Sequence, residues 1–198
     1  MPSPIDQNRG VNPQQNFLES SIKLFRYYKH QAEKAIDQLS DEEVLRKPNA
    51  VSNSIALLVH HISGNMLSRF TDFLTSDGEK PWRNREEEFL KAYPDKLAMM
   101  ADWDKAWNCL FATLDGLRPE DLTKIVYIRN EGQTCLEAIQ RQLAHYSLHI
   151  GQILYQAKVL KGDAFKSLSI PIGGSAAFNK EKFAQEKGRK HFADGLKP

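Results

Sequence analysis

Cysteine is scarce in this chain: two residues in 198, Cys109 and Cys135, stand far apart with no paired-Cys spacing. That excludes a disulfide framework or a cysteine-built zinc site and fits reduced thiols, neither of them in a pattern that marks a nucleophile. Long apolar runs are missing as well. No stretch approaches the roughly 18 uninterrupted apolar residues of a membrane span. The opening residues, Met1-Pro-Ser-Pro-Ile-Asp-Gln-Asn8, lack an apolar core of signal-peptide length. The expected location is therefore cytoplasmic. Nor is one sign of charge in excess, since 27 Lys and Arg face 25 Asp and Glu without a long basic run. Neither nucleic acid nor an anionic membrane is expected as a partner. A chain of 198 residues suits one domain that buries a sizeable core without needing a metal to fold.

What the sequence does have is apolar residues at helical spacing. Phe17, Leu18, Ile22, Phe25, Tyr28, Ala32, Ala35, Ile36 and Leu39 mark a first long helix from about Pro13 to Leu39. Ser40-Asp-Glu-Glu43 is a capping-box pattern opening a short turn, which Lys47-Pro48-Asn49 ends because the residue before proline avoids the helical region. Ser52 or Asn53 can cap a second long helix, with Ile55, Leu58, Ile62, Met66, Phe70, Phe73 and Leu74 on its stripe, running to Ser76-Asp-Gly78. From Gly78 to Pro94, turn formers mixed with aromatics read as a long packed loop or lid with at most one short helix.

Asp95 can cap a third long helix, built on Leu97, Met100, Trp103, Trp107, Leu110, Phe111, Leu114 and Leu117 and ending at Leu117-Arg-Pro119. Lys124-Ile-Val-Tyr-Ile-Arg129 is β-branched and aromatic, and Asn130-Glu-Gly132 reads as a turn, so an extended segment or hairpin arm is expected there. Thr134 with Glu137 is a second capping box, opening a fourth long helix that Gly162 ends just past Lys161. The charges from Phe178 to Lys190 favour a solvated tail over a helix. With no repeat of fixed period, these elements predict an all-α fold, a four-helix bundle with a leader over residues 1–162. Residues 163–198 form an extended segment and tail packed on or trailing the same domain.

His145 and His149, four residues apart in the fourth helix, lie on one face beside the apolar stripe and can grip one ion. Boundary histidines also occur simply satisfied by water or carbonyls, so the pair alone does not decide. A second source of imidazole, His60-His61, lies in the second helix. The two point about 100° apart, so one of them faces the shared point. Periodicity slightly favours His61, next to the Leu58, Ile62, Met66 stripe. Neutral imidazole is a good ligand for zinc, nickel, copper or iron, and three of them leave a position for water or substrate, so a divalent ion is expected, zinc or nickel first, then iron or manganese. Asn65 and Arg69, one and two turns past His61, are candidates to orient substrate. Asp72 and Glu86 to Glu88 lie near the suspected lid, but an exposed acidic run is ordinarily solvated, and no general base is fixed by spacing.

A first helix ending in Leu-Ser-Asp-Glu-Glu, a second with Leu-Val-x-His-x-x-Gly-Asn and a fourth with His-x-x-x-His-x-Gly-Gln together resemble the DinB/YfiT-like superfamily. The similarity is closer to a bacterial branch with counterparts of the Asp72 to Asn84 loop and the Ser167 to Ser175 segment. The resemblance implies an up-down-down-up bundle, often dimeric, with a divalent metal on His61, His145 and His149. Some members are thiol transferases using bacillithiol, mycothiol or glutathione, and one is a maleylpyruvate isomerase. The implied function is a metal-dependent enzyme, a thiol-dependent S-transferase or a hydrolase, acting on a small molecule as a homodimer. The alternatives are a non-catalytic metal- or ligand-binding stress-response bundle, and a bundle whose histidines merely satisfy the edge of the core.

Overall fold

The computed structural model describes residues 10–91 and 93–194, so the leader expected at the N-terminus lies largely outside the described residues. The chain is mostly helical. Its long helices are α1 (Pro13–Ile36), α3 (Ile55–Phe70), α5 (Lys96–Asp115) and α6 (Cys135–Lys161). The short ones are α2 (Asp41–Leu45), α4 (Glu87–Leu90) and α7 (Ser175–Phe183), and one antiparallel hairpin joins β1 (Ile125–Ile128) to β2 (Glu131–Thr134). Among the described residues no helix is long and apolar enough to cross a membrane.

The helix starts follow side-chain chemistry. Asn12 Oδ1 accepts from the Gln14 and Gln15 amides at α1, and Asp95 does the same for Ala98 at α5. Ser40 and Thr134 each form a reciprocal capping box, with Glu43 and Glu137 respectively. At α3 the cap is Ser54, whose hydroxyl accepts from Leu57 N–H, and not Ser52 or Asn53. Asn53 instead offers its carbonyl to Gln156 of α6. At the far end of α6, Gly162 turns with φ 53°, a conformation glycine tolerates best.

Four boundaries differ from the sequence expectation, and one of them is the end of α5, which lies at Asp115 with Gly116 as its cap rather than at Leu117. α1 stops at Ile36, and Lys96 Nζ donates to the Ile36 and Leu39 carbonyls just past its end. α3 stops at Phe70: Thr71 is extended, Asp72 sits at φ 48°, and Asp72 O accepts from the Thr75 and Ser76 amides. The chain thus folds back so that Gly78 O meets Ser68 Oγ and the Arg69 guanidinium. The hairpin turn is Arg129-Asn130, with φ 56° and 62°, rather than Asn130 to Gly132. Its two amides both donate to the Asp77 carboxylate, which fixes the turn one residue earlier.

α3 packs mainly on α5 and α1 on α6, while α3 also reaches α6. Phe25, Phe70, Trp103, Trp107 and Tyr146 fill the shared core with no more than 1% of their surface exposed. The Tyr146 hydroxyl donates to Asn65 Oδ1 at 3.0 Å. This buried bond sets how α6 faces α3, since Tyr146 follows His145 directly and Asn65 lies one turn past His61. Beyond α6, Phe165 and Leu168 pack on the core. α7 is a helix after all, though it buries none of its residues. The last segment returns to α1 through Phe192 against Tyr27 and Lys23 Nζ to Asp194 at 2.6 Å.

Candidate metal centre

Two helices bring three imidazoles to one point. His61 comes from the interior face of α3 and is 5% exposed, while His145 and His149 come from α6 and are half-buried. His145 Nε2 stands 3.3 Å from His61 Nε2 and 3.0 Å from His149 Nε2, and one ligand atom from each lies within 4.8 Å of the others. Two nitrogens bound to one tetrahedral zinc at about 2.0–2.1 Å stand about 3.4 Å apart. The two contacts of His145 are already close to that spacing.

The outer nitrogens decide what the inner ones can do. His61 Nδ1–H donates to Glu88 Oε2 at 2.9 Å, and His149 Nδ1–H donates to Gln152 Oε1 at 2.9 Å. Both rings then turn an Nε2 lone pair inward. His145 Nε2 carries at most one proton, which cannot serve both short N···N contacts, so one pair of lone pairs is left facing without a proton between them. A cation at the centre relieves that repulsion. Burial, then His149 and His61, then the Arg69 and Arg83 guanidiniums, hold the His145 imidazolium down to about 3. Burial also lowers His149, with Gln152 opposing. Neutral imidazoles at ordinary pH are what a metal needs.

Glu88 is the residue that sequence reasoning missed. It belongs to the acidic run taken as solvated, yet only Glu86 of that run is exposed, Glu87 is half-buried and Glu88 is 4% exposed. Arg83 Nε donates to its Oε1 at 2.7 Å and a second guanidinium nitrogen to Oε2 at 2.9 Å. Burial by itself would raise the Glu88 carboxyl, but the His61 bond and the Arg83 charge outweigh it and the net shift is downward. Its neighbour Phe89 stacks on the His61 ring with centroids 4.7 Å apart. A signal for this was in the chain: Gly64 sits mid-helix, where glycine costs about 1 kcal/mol against alanine, which marks close approach by another group.

The other candidates fall as follows. His60 points away from the cluster, its Nδ1 bonded to Lys91 O at 2.9 Å. Asn65 Oδ1 is taken by Tyr146, one turn from the cluster. Arg69 is 7% exposed and bonded to Gly78 O and Glu79, so it reaches the cluster through its field on His145. Asp72 is an exposed turn residue. Cys135 is buried, and that burial pushes its thiol up to about 12, which removes it as a nucleophile at neutral pH.

A solved structure similar to this chain is described as the "Crystal structure of the conserved protein of locus from Enterococcus faecalis". It matches at TM-score 0.57 and 15% identity, covering 78% of this chain and 100% of that one, which is a likeness of fold. No curated protein matches the chain. The family described as "Protein of unknown function (DUF1572)" matches residues 12–174, most of the chain's length, and the chain belongs to that family.

Proposed function

We propose that the chain is a DinB/YfiT-like metalloprotein, its four long helices forming an up-down-down-up bundle that holds a divalent ion on His61, His145 and His149. The observation that carries this is the convergence of three inward Nε2 atoms from α3 and α6, two of them with Nδ1 held by hydrogen-bond acceptors. Zinc or nickel suits this all-nitrogen donor set best, with copper or iron next and manganese, which prefers oxygen donors, last. When bound, the ion supplies a Lewis acid that makes a small thiol or a water acidic enough to act as nucleophile near neutral pH.

The chain's own residues bind and orient. His145 and His149 are half-buried, so the cluster opens toward solvent on the α6 side, while Phe89 covers it on the His61 side. Gln152, which holds His149, also lines a groove of about 780 Å³ between α6 and the segment following α2. Leu58, Tyr155, Val159 and Leu160 give that groove apolar walls, and Arg46 and Lys47 put positive charge on it. These features suit a small anionic substrate with an apolar body, and the reaction we favour is a thiol-dependent transfer or a hydrolysis.

A second reading, a non-catalytic metal binder, is favoured by one observation: both oxygens of Glu88 are engaged by Arg83 and His61, so this carboxylate is not free to act as general base. Cobalt substitution separates the two. A change of visible absorption when glutathione or bacillithiol is added, with turnover that disappears on metal removal, supports the enzyme. A spectrum that no thiol alters, with no metal-dependent turnover, supports the binder.

A further inference from the structure

The segment between α3 and α5 delivers a single buried carboxylate to the back of one histidine, and the helix it meets has a notch where that carboxylate lies. A Cβ placed on Gly64 would fall 2.9 Å from Glu88 Cδ and nearer still to its Oε1. Gly64 lies three residues past His61, on the same face of α3. Any side chain there would push the carboxylate off the imidazole. The other side of the carboxylate is set by Arg83, whose side chain is 2% exposed. Arg83 is in turn flanked by Glu79, which pairs with Arg69 at 3.2 Å and with Arg129 of the hairpin turn at 3.0 Å. An ion pair of Arg83 with Glu88 alone would need neither the notch nor the 2.9 Å bond to His61.

We infer that Glu88 is the positioning residue of His61, fixing its proton on Nδ1 so that Nε2 is free to ligate, and that Gly64 exists in α3 to admit it. The physical basis is that an ionised carboxylate only accepts, so the ring nitrogen facing it must carry the hydrogen. A carboxylate behind a ligating imidazole also makes the other nitrogen more basic, and removing such a partner costs about 10- to 100-fold in metal affinity. Glu88 itself touches neither metal nor substrate. The inference rests on the metal reading proposed above, but its first observable does not require a metal.

The test is nitrogen NMR of the imidazoles in metal-free full-length protein, paired with zinc titration against a competing chelator. Wild type should show His61 as the Nδ1–H tautomer. Glu88→Ala should lose that tautomer and bind zinc about 10- to 100-fold more weakly. Glu88→Gln, which keeps an acceptor oxygen but not the charge, should keep the tautomer and recover part of the affinity. Gly64→Ala should weaken zinc as Glu88→Ala does, and the double variant should be no weaker than Glu88→Ala alone, because the notch has no use once the carboxylate is gone. An Nε2–H tautomer of His61 in wild type overturns the inference even if no variant folds. So does zinc binding that Glu88→Ala leaves unchanged. A wild type that shows the Nδ1–H tautomer yet binds no zinc overturns the metal reading and still supports Glu88 as the partner of His61.

Discussion

In the metal-free protein His145 is a base that burial and neighbouring charge hold at about 3, and burial lowers His149 as well. In the unfolded chain both titrate at about 6.5, so between the folded and unfolded values the unfolded state binds more protons and stability falls with falling pH. The metal-free protein should therefore melt at a lower temperature at pH 5 than at pH 7.5, and His145→Gln should flatten that dependence. Calorimetry across this range checks it, and a melting temperature that rises on acidification would refute it. The two adjacent histidines of α3 should behave differently. His61→Ala should abolish zinc binding while His60→Ala, whose ring is bonded to Lys91 O away from the cluster, should change it little. Equal losses would mean that His60 contributes to the site. The His145/His149 pair was legible because one helical turn puts both rings on one face. Glu88 was not, because three consecutive glutamates look alike in a sequence, and which of them turns inward is set by Arg83 and by the notch at Gly64.

At the scale of elements, α6 carries two of the three imidazoles, and its start is fixed by the reciprocal bonds of Thr134 and Glu137. Thr134→Ala should cost about 1 kcal/mol of stability, seen as a lower urea midpoint with an unchanged slope. An unchanged midpoint would show that β2, which runs directly into α6, fixes the start without the cap. Long helices were legible from the spacing of their apolar residues, and the starts of α5 and α6 from their Asp95 and Thr134 caps, whereas the Asn12 cap of α1 and the Ser54 cap of α3 were not read. Their ends were less so. Phe73 and Leu74 continue the apolar pattern of α3 past its true end at Phe70, because Phe73 is buried from a turn rather than from a helix. The positive φ of Asp72 that makes the turn leaves no mark in hydrophobic spacing. The same holds for the hairpin, where the distant Asp77 carboxylate chooses Arg129-Asn130 as the turn.

For the whole molecule, α6 leaves a stripe of apolar residues uncovered, Leu148 at 62%, Tyr155 at 71% and Val159 at 63% exposure, and since Tyr155 and Val159 also wall the proposed substrate groove, a partner on this face would border that groove. Stripes of this kind are commonly covered by a partner, and we predict a homodimer, with light scattering giving twice 22.6 kDa. A mass of 22.6 kDa at micromolar concentration would refute it. The mostly helical class was legible from composition and period alone, whereas the return of the tail to α1 was not, since it depends on Phe192, Lys23 and Asp194 meeting across almost the whole chain. The central claim is that three imidazoles from α3 and α6 hold a metal. Elemental analysis of freshly purified protein tests it most directly: about one divalent ion per chain in wild type and none in His145→Ala that remains folded supports the claim. Wild-type protein that is metal-free and also refuses added zinc and nickel contradicts it.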